Sequence, residues 1–368
     1  MKRSTSLLAA LCMALCMLSF DLYAQLTTPR PSPAAELTQT IGLTKVTVNY
    51  SRPQVIRGAN DRTGQIWGNQ VPYGLTANNF GNQKPMPWRA GANENTVITF
   101  STPVKIEGKA IAAGSYGLHM IPNADGTVQV LFSTNTTSWG SFWYEEAEEV
   151  LRVSVKMEDA PFTNVLTYDF VAFSPNTGTL ALSWDDKRIP IQISVDQETT
   201  LANIRDQLRG VIGFGWQGPL AAASYCLNNN INHEEAIGWA DRAIAANRSG
   251  QTLGVKAALL FQVGNNEEGV KVADEAKEIA NVNELNILGY QLMGAKQMDK
   301  AKEFFLLNIE RNPEVANCYD SMGECYVAMG DEKAAIKMFK KSLAMNPPAN
   351  VKANSIANLQ RLGVEQAE

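Results

Sequence analysis

Residues 316–347 read ANCYDSMGECYVAMGDEKAAIKMFKKSLAMNP. Tyr319, Met322, Gly323 and Tyr326 recur at the three- and four-residue spacing that places side chains on one face of a helix. Gly330 breaks that helix, and Asp331 stands where a side chain caps the next one. Ala335, Phe339 and Leu343 then form a second apolar stripe, which Pro347 ends. The pattern recurs 34 residues upstream in Leu285, Leu288, Gly289 and Leu292, followed by Ala301, Phe305 and Pro313.

A fixed period of helix–turn–helix units with small residues at the crossing points resembles the tetratricopeptide repeat. Two weaker units precede these: Leu220, Ala223, Leu227, Ala236, Ala240 and Ala243, then Leu253, Ala257, Leu260, Gly269, Ala273 and Ala276. The four units start near 217, 250, 282 and 316, and 350–362 supplies a last helix to cover the open end of the stack. Repeats of this kind resemble one another in presenting the first helix of each pair to a concave groove. That register predicts a partner groove of Tyr225, Asn228, Phe261, Asn283, Asn286, Tyr290, Asn317, Asp320 and Glu324. It holds no Lys or Arg, which disfavours the type that clamps a peptide carboxylate. Amides and aromatics suit an extended protein or peptide partner instead.

Ahead of the helices the apolar period is two. Val46, Val48 and Tyr50 alternate with Thr47 and Asn49, the mark of a half-buried strand. Similar runs follow at 96–101, 104–107, 116–121, 128–133, 150–156, 165–173, 180–184 and 189–195. Turn signals separate them, among them Glu107-Gly108, Asp125-Gly126 and Asp185-Asp186. Many short strands without helices between them predict an antiparallel sandwich or barrel. The whole is thus an α+β two-domain chain: an antiparallel β-sandwich over 25–196, a linker helix and Gly-rich hinge over 197–216, an all-α solenoid over 217–348, and a capping helix and tail over 349–368.

Residues 1–24 read as a signal peptide: Lys2 and Arg3 precede an apolar run from Leu7 to Phe20, and Leu22-Tyr23-Ala24 offers a cleavage site before Gln25. The run is shorter than the ~20 apolar residues of a membrane span, so the expectation is a periplasmic or secreted protein without a span after cleavage. The net charge of -5 argues against nucleic acid. Cys226, Cys318 and Cys325 read as buried thiols, and no cysteine–histidine spacing predicts a metal site. Glu145, Glu146, Glu148 and Glu149 read as a solvated acidic face, and no motif calls for a cofactor.

The segments SPAAELTQTIGLTKVTVNYSRP (32–53), WRAGANENTVITFS (88–101), AIAAGSYGLHMIP (110–122), WGSFWYEEAEEVLRVSV (139–155) and LALSWDDKRIPIQI (180–193) resemble, in order, the bacterial domain of unknown function 2911. The resemblance implies an exported protein of Bacteroidetes type, often with tetratricopeptide repeats behind the β domain, and implies no activity. Residues 75–87 (LTANNFGNQKPMP) are an insert relative to that pattern, placed to reshape or cover any site at this junction.

Arg52, Arg89, Asn93 and Glu94, with Trp67, Tyr73 and Trp88, cluster in sequence around a long loop at 52–89. Guanidinium forks suit carboxylates and phosphates, and the aromatics suit stacking on a sugar or ring. The alternative is an Arg89–Glu94 ion pair over core aromatics. His119, between Leu118 and Met120, reads either as a general base or as a hydrogen-bonded strand residue. The resulting expectation is an exported non-catalytic binding or scaffold protein. The rival is a periplasmic hydrolase or carbohydrate-active enzyme acting through Glu94 or His119 near the Arg52–Glu94 loop.

Overall fold

The computed structural model describes residues 28–364; the signal-peptide reading of 1–24 lies outside them. The chain divides at Thr200/Leu201 into two compact units.

The first unit is all β. Its strands in chain order are β1 (Ala34–Ile41), β2 (Thr44–Ser51), β3 (Ile56–Arg57), β4 (Asn60–Asp61), β5 (Val97–Phe100), β6 (Val104–Ile106), β7 (Lys109–Ile111), β8 (Gly114–Pro122), β9 (Thr127–Ser133), β10 (Glu149–Lys156), β11 (Glu158–Ser174) and β12 (Thr177–Ser194). One antiparallel sheet runs β1-β2-β5-β8-β9-β10 and a second runs β11-β12-β6-β7, with β3-β4 a small hairpin apart. Alternate residues of both sheets meet in one core: Val46, Val48, Leu118, Met120 and Phe132 from the first, Leu166, Tyr168, Leu182 and Ile191 from the second. That is the sandwich expected of period-two strands. The turn between β6 and β7 is Glu107-Gly108, both at positive φ, as a two-residue hairpin requires.

One expectation changes here, and the long loop is fixed. Asp185-Asp186 does not turn the chain; β12 runs on through it. Asp185 takes positive φ and its carboxylate accepts the Gly64 N–H at 3.0 Å, so the break in pattern is an irregularity inside one strand. The 52–89 loop is not loose either. Val55, Ile66 and Val71 reach the sandwich core, which pins it in three places.

The second unit is helical: α1 (Gln197–Gln207), α2 (Gln217–Asn229), α3 (His233–Ala246), α4 (Gly250–Gln262), α5 (Asn266–Ile279), α6 (Val282–Gly294), α7 (Met298–Arg311), α8 (Ala316–Met329), α9 (Glu332–Ala344) and α10 (Ala349–Arg361). The first helices of the four pairs begin at 217, 250, 282 and 316. Gly330 ends α8 at positive φ and the Asp331 carboxylate caps α9 by accepting the Ala334 N–H at 3.0 Å. The glycines at the crossings are there for space. A Cβ on Gly289 would lie 2.6 Å from the Phe305 ring, and one on Gly323 2.6 Å from the Phe339 ring. Both phenylalanines are fully buried.

In the Gly-rich stretch 210–218 Gly213 sits against the Leu208 carbonyl and Gly218 against that of Ile212, where no Cβ fits, while Val211, Ile212 and Phe214 are exposed. Leu201 and Leu208 of the segment around α1 join Leu220, Ala223 and Trp239 in one core, so this segment covers the first repeat. Cys226, Cys318 and Cys325 are free and buried; burial pushes the first two thiols up to about 11. No described helix is long and apolar enough to cross a membrane.

Candidate functional sites

Three consecutive first helices line a cavity of about 540 Å³ on the repeat unit. Leu227 and Asn228 come from the end of α2, Ala258, Phe261 and Gln262 from the end of α4, and Gln291 and Gly294 from the end of α6, with Lys296 just beyond. The wall is mostly amide and apolar. The Gln291 Oε1 is buried and accepts no hydrogen bond. Of the predicted groove, Asn228 and Phe261 line this cavity. Gln262, Gln291 and Lys296 were not legible, because they sit at helix ends where register alone does not say which side chains converge. Lys296 also corrects the expectation of a lining without cations.

The far end of the groove is closed by the chain's own last helix. Asn286, Asp320 and Asn354 stand 34 residues apart along the stack. Asn354 of α10 donates to Asp320 and to Glu324, both at 2.8 Å, and Ser355 donates to Asp320. Tyr290 donates to Glu324 at 2.5 Å. Tyr290, Asp320 and Glu324 were predicted to meet a partner; α10 meets the two carboxylates and Tyr290 the second of them, because α10 takes the place of a fifth first helix. Burial raises the Asp320 carboxyl above its ordinary value. Asn283 lies at the amino end of α6 beside the Asn281 cap, Tyr225 is partly buried against the first-repeat core, and Asn317 is half-buried.

In the β unit the predicted cluster disperses. Arg52 donates to the Leu166 carbonyl at 3.0 Å and the Thr167 hydroxyl at 2.6 Å, tying the long loop to β11. Trp67 and Trp88 pack on the core around Trp184, leaving Tyr73 as the exposed aromatic of the three. The Asn93 side chain donates to the Ser32 carbonyl at 3.1 Å. Glu94 pairs with Arg30 at 2.5 Å and does not pair with Arg89. Arg89 donates instead to the Asn93 carbonyl, with its guanidinium 4.9 Å from the Phe142 ring centre.

His119 and Ser141 form a pair that spacing in sequence did not reveal. His119 is 2% exposed and Ser141 1% exposed, with Nδ1 and Oγ 2.8 Å apart. β8 is buried on both faces, because the loop from 134 to 148 lies across the outer face of its sheet. Desolvation, and then the charge of Arg89, lower the His119 pKa to about 4. A base that holds its proton so weakly is a poor activator of a serine at neutral pH. Glu94 and His119, the two candidates of the hydrolase reading, have no partner in common.

An antiparallel β-sandwich followed by a helical array of tetratricopeptide type supports a protein-interaction scaffold. Residues 32–193 match the family described as Protein of unknown function (DUF2911), and residues 316–348 match the Tetratricopeptide repeat model. The β domain thus resembles the first family, and the match to the second covers the last repeat of the helical unit. Among solved structures, the chain is similar to YrrB, a TPR protein described as having an unusual peptide-binding site (15% identity, 43% of this chain, 88% of that one, TM-score 0.31). It is also similar to pilF of Pseudomonas aeruginosa (18%, 41%, 71%, TM-score 0.31) and to MamA (18%, 43%, 95%, TM-score 0.30). Likeness at this level carries no argument about function. No curated protein matches significantly.

Proposed function

We propose that this is an exported, non-catalytic scaffold that holds an extended segment of a partner protein in the amide-lined cavity of its first three repeats. The observation that carries the reading is the convergence of Asn228, Gln262 and Gln291 with Phe261 around one opening. An extended peptide presents N–H and C=O groups in alternation, and side-chain amides both donate and accept. The unpaired Gln291 oxygen is an acceptor awaiting such a donor. The side chains of α10 occupy Asp320 and Glu324, so the partner lies toward the first repeats. Export rests on the basic, apolar and cleavable pattern of residues 1–24.

The test is selection of random displayed peptides on the mature chain from Gln25, with affinities measured by calorimetry. The double variant Asn228→Ala/Gln291→Ala is expected to bind the selected peptides at least tenfold more weakly. Peptides that bind this variant as tightly as the parent overturn the reading.

A further inference from the structure

Trp88 and Met120 exchange both backbone hydrogen bonds, each 2.8 Å, as an antiparallel pair. Their neighbours Arg89 and His119 therefore stand opposite each other on the face turned away from the core. The loop 139–145 lies over them: Gly140 rests against the Arg89 guanidinium, Phe142 stacks on it, Ser141 bonds His119, and the Tyr144 ring meets the imidazole edge-on at 5.9 Å. Gly140 has positive φ and no room for a Cβ, so the close approach to Arg89 is built into the loop.

Among the described residues Arg89 has no carboxylate partner here; Glu149, whose charge reaches His119, is paired with Arg152. Arg30 and Arg152 have carboxylate partners in Glu94 and Glu149. Arg52 and Arg62 each spread their N–H groups over two neutral acceptors. Arg89 is half-buried and has one acceptor, the Asn93 carbonyl, and no carboxylate among the described residues. His119 Nε2 makes no hydrogen bond. When Ser141 donates to Nδ1, Nε2 carries the hydrogen. In that tautomer two donor groups and one positive charge remain.

Over this loop lies the insert. Thr76 and Met86 close it with two backbone bonds of 2.9 Å. It is fastened by the Asn78 amide to the Phe142 carbonyl (2.8 Å), the Asn82 amide to the Tyr144 carbonyl (2.6 Å), and Lys84 to Glu145 (2.5 Å). Phe80 on the insert and Trp139 and Trp143 on the loop are 70%, 53% and 54% exposed.

We propose that Arg89 and His119 bind the carboxylate of a small acid with an apolar body, beneath a lid formed by residues 76–86. The planar guanidinium fork matches a carboxylate in shape. A single cation beside a neutral imidazole matches one negative charge; a phosphate dianion leaves one charge unmet. Phe142 and Tyr144, with Phe80 against Phe142, give the apolar body a surface. This site is independent of the repeat groove.

The chain has two histidines, His119 and His233, so the imidazole signals of ¹⁵N-labelled mature protein are readily assigned. Benzoate, acetate and chloride are titrated at constant ionic strength. Benzoate is expected to shift the His119 ring signals saturably, acetate to shift the same signals at about tenfold higher concentration, and chloride to leave them in place. Arg89→Gln is expected to weaken benzoate at least tenfold, and Arg89→Lys to lie between. A peptide ending in a free-acid phenylalanine that shifts His119 while its amide does not assigns the acid to a chain terminus; benzoate without the peptide assigns a free acid. No saturable shift with benzoate or acetate, or an affinity unchanged in Arg89→Gln while the His119 and His233 signals stay native, overturns the proposal.

Discussion

Gly323→Ala tests whether the repeats pack as the structure shows. The added Cβ lies 2.6 Å from Phe339 Cε1 and 2.8 Å from two further ring atoms. Carbon–carbon contacts settle near 3.5–4.0 Å, so the ring must retreat by about 1 Å. Phe339 is fully buried and has nowhere to go. Overpacking of this kind costs ~1–3 kcal/mol, and the better helix propensity of Ala returns ~1 kcal/mol. Gly238 in α3 is the control: it is exposed, and a Cβ there meets nothing within 4 Å. Gly238→Ala keeps the propensity gain alone. The propensity term cancels between the two variants, so their difference isolates the steric cost. For a unit of this size a difference of ~2 kcal/mol corresponds to roughly 6 °C in Tm. Urea and thermal unfolding followed by helical circular dichroism read it directly. Phe339→Leu in the Gly323→Ala background should recover at least ~1 kcal/mol relative to the sum of the single variants. A Gly323→Ala protein as stable as Gly238→Ala, or strict additivity with Phe339→Leu, refutes the packing argument.

His119 predicts a pH dependence. Its folded pKa of about 4 lies below the unfolded value near 6.5, so the unfolded chain gains a proton first as pH falls. Stability from this group is therefore complete above ~pH 6.5 and lost on acidification toward pH 4, by on the order of 3 kcal/mol. Subtracting the pH profile of His119→Gln from that of the parent, by urea unfolding followed through tryptophan fluorescence, should show this slope; a flat difference rejects it. Asn354→Ala removes the amide that donates to Asp320 and Glu324. It should cost ~1.5–3 kcal/mol at pH 7, the range for hydrogen bonds to charged groups. The loss should shrink on acidification toward pH 4, because burial raises the Asp320 carboxyl and its protonation weakens the bond it accepts. Urea unfolding at the two pH values checks this, and an equal loss at both is the contrary result.

The helical half was legible almost residue by residue. Each helix of a repeat contacts its near neighbours in sequence, so the stripes, the Gly330 break, the Asp331 cap and the four starts are local facts written locally. The period-two runs likewise marked most of the strands, though not β1, β3, β4 or β7, and pointed to the sandwich. The sites were another matter. Arg89 and Glu94 are five residues apart in sequence and turn to different partners, while Arg89 and His119 are thirty apart and stand side by side. Ser141 reaches His119 only because a loop crosses the outer face of the sheet, and the insert could be recognised as extra chain but not aimed. In the repeats, periodicity named the helices, yet of the groove residues it gave only Asn228 and Phe261 line the cavity, and Asn354 of α10 satisfies carboxylates assigned to a partner. Sequence by itself determined the elements, their order and their repeat, because these follow from propensity and from which face must be dry. The tertiary structure alone decided which polar groups find a partner inside the chain and which are left without one, because that depends on contacts between segments distant in sequence.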